Sequence, residues 1–143
     1  MARRPEPGDY DYEGAAMPDY TVKRIDDMEG AFGGGLKKAR AELGVTSFGM
    51  QVVDLPPNYS DYPEHDHSEQ KQEEVFVALR GSGEIDVEGE RVQLTPEVVV
   101  RVGADAKRKI YAGPEGLRVL ALGGTPGVAY EVMEFTELSG ATA

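Results

Sequence analysis

Residues 63–84 read Pro63-Glu-His65-Asp-His67-Ser-Glu-Gln-Lys-Gln-Glu-Glu74-Val-Phe-Val-Ala-Leu-Arg-Gly81-Ser-Gly-Glu84. The chain has only two histidines, and both stand here, one residue apart. On an extended strand, residues i and i+2 point to the same face. His65 and His67 are therefore placed side by side, as two imidazoles gripping one ion would be. A polar loop in which two histidines happen to fall together is the plainer reading. What lies around the pair decides between them.

Downstream, the chain reads as β-structure. Ser47–Leu55 alternates, with Phe48, Met50 and Val52 on one face. Glu74–Leu79 carries Val75, Phe76 and Val77, and Gly81-Ser82-Gly83 reads as a turn. Glu84–Val87 and Arg91–Leu94 flank Glu88-Gly89, a two-residue hairpin signal. Val98–Val102 and Arg108–Tyr111 follow. Leu117–Leu122 comes after a Gly113-Pro114-Glu115-Gly116 turn, and Tyr130–Phe135 after Thr125-Pro126-Gly127. Seven or eight short, closely spaced strands with no long helix between them predict a β-sandwich or barrel.

The segment with His65, His67, Glu74 and Gly81 resembles the first motif of the cupin family, and Pro63 before the pair fits as well. The spacing from Glu74 to Gly81 is that of the motif. Glu73–Glu84, the Glu88-Gly89-Glu90 hairpin and Leu94-Thr95-Pro96-Glu97 are similar to its continuation, so the likeness runs from about Thr46 to Phe135. It implies an all-β double-stranded β-helix, a jelly-roll barrel, here with an N-terminal extension. It also implies His65, His67 and Glu74 as ligands of a divalent transition metal (Fe, Mn, Zn or Ni), a small organic ligand or substrate, and a homodimer.

Two departures bear on that site. Ser68 to Glu73 is a longer loop than the motif usually has, so Gln72 or Glu73 competes with Glu74 as ligand. The family's third histidine falls on Ala106, or on Lys107 if the preceding turn is longer. Alanine has no ligand atom and a lysine ammonium repels cations. The remaining set is two imidazoles and one carboxylate, which leaves coordination positions open. Alternatively, one of Lys107, Arg108 and Lys109 points inward, pairs with Glu74 or holds an anion, and the barrel binds a small molecule without tight metal. The plainer reading of that run is alternating strand residues with charge in solvent. Tyr59 and Tyr62 are candidates for the barrel mouth. Enzyme and non-catalytic binding or sensory module both stay open, and no catalytic residue is assigned.

Composition narrows the rest. At 143 residues the chain suits one domain. With no cysteine, disulfides and thiolate chemistry are excluded, so any metal needs N and O ligands. A net charge of -11 disfavours nucleic acid. No Gly-x-Ser-x-Gly elbow is present. No apolar run is long enough for a membrane span, and the first residues lack an apolar leader, which predicts a cytoplasmic protein.

The expected organisation has four parts. Residues 1–19 are an acidic tail rich in Tyr, Pro and Gly, predicted to be disordered on composition, with Tyr10, Tyr12 and Tyr20 able to dock it on the domain or a partner. Residues 20–45 form an extension that packs on the barrel, 46–136 the barrel and 137–143 a C-terminal tail. Within the extension, Thr21–Ile25 is predicted as a short strand and Leu36–Leu43 as helix or strand, stopped by Gly44. Gly33-Gly34-Gly35 lacks the Gly-Lys-Ser/Thr ending of a phosphate loop and reads as a connection.

Overall fold

Two long strands dominate the architecture. The structure, a computed structural model, describes residues 18–140. The tail reading at residues 1–17, with Tyr10 and Tyr12, lies outside these. Strands run β1 Gly30–Ala31, β2 Leu36–Lys37, β3 Gly49–Leu55, β4 Glu73–Val87, β5 Glu90–Leu94, β6 Val99–Val102 and β7 Arg108–Gly124, with one short helix, α1 Ala39–Leu43. All pairings are antiparallel, in the order β1-β2-β3-β7-β4-β5, and β6 pairs with the first half of β4. This is an all-β jelly roll, as the family resemblance implies; the strand pattern alone predicts a β-sandwich or barrel.

The two predicted turns at Gly81–Gly83 and Gly113–Gly116 are not reversals. Each is a bend inside one continuous strand, β4 or β7, and the bends lie against each other. Gly81 has a φ of 76°, and a Cβ there would collide with the Gly116 carbonyl. A Cβ at Gly83 would collide with the Tyr111 carbonyl. Register shifts between Ala78 and Arg80 and between Gly81 and Gly83 are the bulges that let the ladder turn a barrel corner. The inward face changes parity there. Before the corner Phe76 and Ala78 are buried in β4, and after it Ile85; in β7 the buried set passes from Arg108 and Ile110 to Leu117, Val119 and Ala121. The Glu88-Gly89 hairpin forms as predicted, with φ of 51° and 87° as a primed turn requires.

Both faces of β3 are covered. Val53 and Leu55 join Phe76, Ile85, Leu94, Val102, Ile110 and Val119 in the barrel core. Val52 faces the other way, onto Met28 and Ala39, with Met50 and Leu120 beside them. The N-terminal segment makes that second layer. β2 pairs with β3, α1 ends at Gly44 in the left-handed region, and Lys38 reaches Glu29 Oε2 at 2.6 Å and the Glu137 carbonyl at 2.7 Å. The Leu36–Leu43 segment is thus part strand and part helix. Two expectations fail. Thr21–Ile25 is not a strand; the chain there ends in a 3₁₀ turn at Ile25–Asp27. Tyr130–Phe135 runs irregularly into a 3₁₀ turn at Glu134–Thr136. Val132 and Phe135 remain exposed, with the Phe135 ring 6.0 Å from that of Phe32.

Candidate metal centre and its cavity

The backbone of the histidine loop is pinned before any side chain acts. The His65 N–H donates to the Arg108 carbonyl at 3.1 Å, and the Arg108 N–H donates back to His65 at 2.9 Å. The His67 N–H donates to the Ala104 carbonyl at 2.9 Å. With both residues tied to the same neighbouring segment, their rings share a face as the i, i+2 spacing predicts, 5.0 Å apart and edge to face.

Glu74 enters from β4. It pairs with Gly123 of β7, which pairs in turn with Gly49 of β3. Directly paired residues present side chains to one face, so Glu74 shares the inner face with two glycines. One ligand atom each from His65, His67 and Glu74 fall within 4.8 Å of one another. The competing ligands are placed elsewhere. Glu73 faces outward and accepts from Arg101 Nε at 2.8 Å. Gln72 is buried, with its amide seated over Gly123.

The imidazoles are oriented from outside. His65 Nδ1 lies 2.9 Å from the Pro63 carbonyl, which can only accept, so the proton sits on Nδ1 and the Nε2 lone pair is free. His67 Nδ1 lies 3.3 Å from Gln70 Oε1, and its Nε2 is 3.1 Å from Glu74 Oε1.

The residue that reaches this cluster from the expected third-ligand region is Arg108. It is neither Ala106 nor Lys107. Arg108 is wholly buried, donates from Nη1 to Glu74 Oε1 at 2.9 Å and from Nη2 to the Gly103 carbonyl at 2.7 Å, and leaves Nε without a partner. Lys107 is exposed and Lys109 lies over the Tyr111 ring, so the run does alternate, with its middle charge inside. Arg108 does not line the cavity. It stands behind Glu74, which excludes it as a direct anion hook.

His65, His67, Gln72 and Glu74 sit in the wall of a cavity of about 1160 Å³ that also exposes Tyr59, Tyr62 and Tyr130. Burial, and then the charge of Glu74, push the Tyr62 hydroxyl well above the usual phenol range, against the opposing charge of Arg108. Tyr62 packs on His65 with ring centres 5.6 Å apart.

The donor set fits a borderline divalent ion. Two imidazole nitrogens and a carboxylate suit such metals, and all three face open cavity space where water or a ligand could complete the shell. Ligand atoms around a tetrahedral ion lie roughly 3.4 Å apart, so the cluster would need to contract slightly. Glu74 Oε2 accepts no hydrogen bond from the described residues and is free to ligate.

No family model matches the chain, and no curated protein is similar to it in sequence. Solved structures do match. A cupin protein from Bacteroides fragilis superposes with a TM-score of 0.63 at 22% identity, covering 86% of this chain and 98% of its own. The cupin domain of Cnp3 from Schizosaccharomyces pombe gives 0.50 at 22% identity, over 55% of this chain and 53% of its own. A conserved protein of unknown function from Streptococcus pyogenes gives 0.50 at 18% identity, over 57% and 68%. The chain has the cupin fold.

Proposed function

We propose that this protein is a small-molecule-binding cupin that holds a divalent transition metal through His65 Nε2, His67 Nε2 and Glu74 Oε2. The observation that carries this is the convergence of those three side chains on the cavity wall while the outer nitrogen of each imidazole is occupied by Pro63 or Gln70. A metal held there would act as a Lewis acid on an oxygen of the bound molecule. Glu74 is held in place by Arg108, whose fixed positive charge opposes a dication. Affinity is therefore expected to be lower than a third imidazole in that place would give. No helix among the described residues is long and apolar enough to cross a membrane.

The same Arg108 contact supports a second reading. Glu74 Oε1 already accepts from Arg108 and approaches His67, so the carboxylate has partners without any ion. The barrel would then be a metal-free binding or sensory module. Elemental analysis of protein purified without added metal or chelator separates the two. The first reading expects a stoichiometric transition metal that disappears in His65→Ala and His67→Ala. A folded protein with no metal, even after reconstitution with Fe, Mn, Zn and Ni salts, would leave only the second.

A further inference from the structure

Gln72 is 7% exposed, faces the cavity, and its amide makes no hydrogen bond with the described residues. The amide is not sealed in the protein, so it meets the open cavity, where it can pair with a ligand. The strand below it makes room for this amide. A Cβ at Gly123 would meet Gln72 Oε1, and a Cβ at Gly49, its neighbour in register, would meet the Tyr130 hydroxyl. Two glycines side by side on the inner face thus leave hollows, and polar groups from loops fill both.

The next row of the same face runs Gln51, Ala121, Phe76. Gln51 also lines the cavity, and its Oε1 is buried without a donor. It lies diagonally from Gly123, a separation of roughly 7–8 Å between such positions, and the Gln72 amide sits over that glycine. Two glutamine amides with unmet hydrogen-bonding capacity therefore line the same cavity as Glu74, over a floor of Gly49, Gly123 and Ala121. Arg108 is committed to Glu74 and Gly103 and does not line this cavity.

We propose that Gln72 and Gln51 form a subsite that recognises ligands through a group that both donates and accepts hydrogen bonds, a primary carboxamide or lactam. The apolar body of the ligand rests against Tyr59 and Tyr62. A carboxamide pairs with a glutamine amide through an N–H···O bond in each direction, and a turn of the Gln51 amide would bring its donorless Oε1 to the ligand's N–H. This rests on the reading of the cavity as a small-molecule site and not on the metal.

The test compares three probes on the full-length protein by ligand-observed NMR titration: benzamide, acetophenone and toluene. Acetophenone keeps the shape and the carbonyl but lacks the N–H donor. Benzamide is expected to bind about tenfold more tightly than acetophenone. In Gln72→Leu and in Gln51→Leu that ratio falls towards one while toluene binding persists, and Gln72→Leu melts no lower than the wild type. Equal binding of benzamide and acetophenone by the wild type, or an undiminished ratio in both variants, overturns the subsite and leaves the cavity reading intact. Failure of all three probes to bind overturns the cavity reading, and the subsite with it.

Discussion

The Arg108 guanidinium donates to Glu74 Oε1 at 2.9 Å from a fully buried position, while one edge of the carboxylate still faces the cavity. The pair is asymmetric. Arg108 is sealed inside with its Nε unpartnered, and Glu74 keeps 13% of its side chain exposed. Removing the buried cation leaves a partly wet carboxylate, whereas removing the carboxylate leaves a dry, uncompensated cation.

Glu74→Leu should therefore destabilise more than Arg108→Met. Breaking a buried pair costs about 3–5 kcal/mol, and Glu74→Leu should fall in that range, measured by urea unfolding. Arg108→Met should cost about 1–3 kcal/mol, because cavity water can resolvate Glu74. The double variant should recover part of the loss. The opposite order of the single variants would contradict the burial asymmetry.

Acid should loosen the N-terminal layer before the barrel. Asp26 accepts from Arg118 Nη2 at 2.6 Å, and that hydrogen bond, then the arginine's charge, holds its carboxyl below the ordinary 3.8. Glu29 is held below 4.5, first by its hydrogen bond from Lys38 and then by the Ser139 N–H. Both carboxyls have depressed values when folded. Their stabilisation is fully present above the ordinary values and is lost as pH falls through the lower, folded ones. Hydrogen exchange at residues 25–40 should therefore speed up below about pH 4.5, ahead of the β4 and β7 amides. Added salt should blunt the effect, more at exposed Asp26 than at half-buried Glu29. Asp26→Asn with Glu29→Gln should flatten the profile; an unchanged acid response in that variant would count against the assignment.

The strand faces and the histidine–glutamate cluster were legible because they depend on local periodicity and on one short motif. Val75, Phe76 and Val77 signal a strand in any context, and His65 and His67 must share a face once extended. The long strands were not legible. Gly81-Ser82-Gly83 and Gly113–Gly116 carry the same local signature for a bend as for a reversal, and the difference lies in which segment crosses opposite. Arg108 was half legible. It stands two residues before Ile110 on one strand, so it shares that residue's inward face, but its charge argued for solvent until Glu74 appeared within reach. The unpaired amides of Gln51 and Gln72 had no sequence signal, because an unmet hydrogen bond is a property of the packed site.

The two kinds of glycine on these strands should behave oppositely. Gly81 combines a φ of 76° with a collision against the Gly116 backbone, which cannot move without opening the barrel corner. Gly81→Ala should cost about 2–4 kcal/mol by urea unfolding, or prevent folding altogether. Gly123 has an ordinary φ, and the atoms nearest a Cβ there are Oε1, Cδ and Cγ of Gln72, a flexible side chain that can swing aside. Gly123→Ala should fold with a stability change within about 1 kcal/mol, yet it should displace the Gln72 amide and lower the benzamide preference as Gln72→Leu does. If both alanines destabilised alike, the corner at Gly81 would not be the rigid element described. If Gly123→Ala kept the full preference, Gln72 would not owe its position to the missing Cβ.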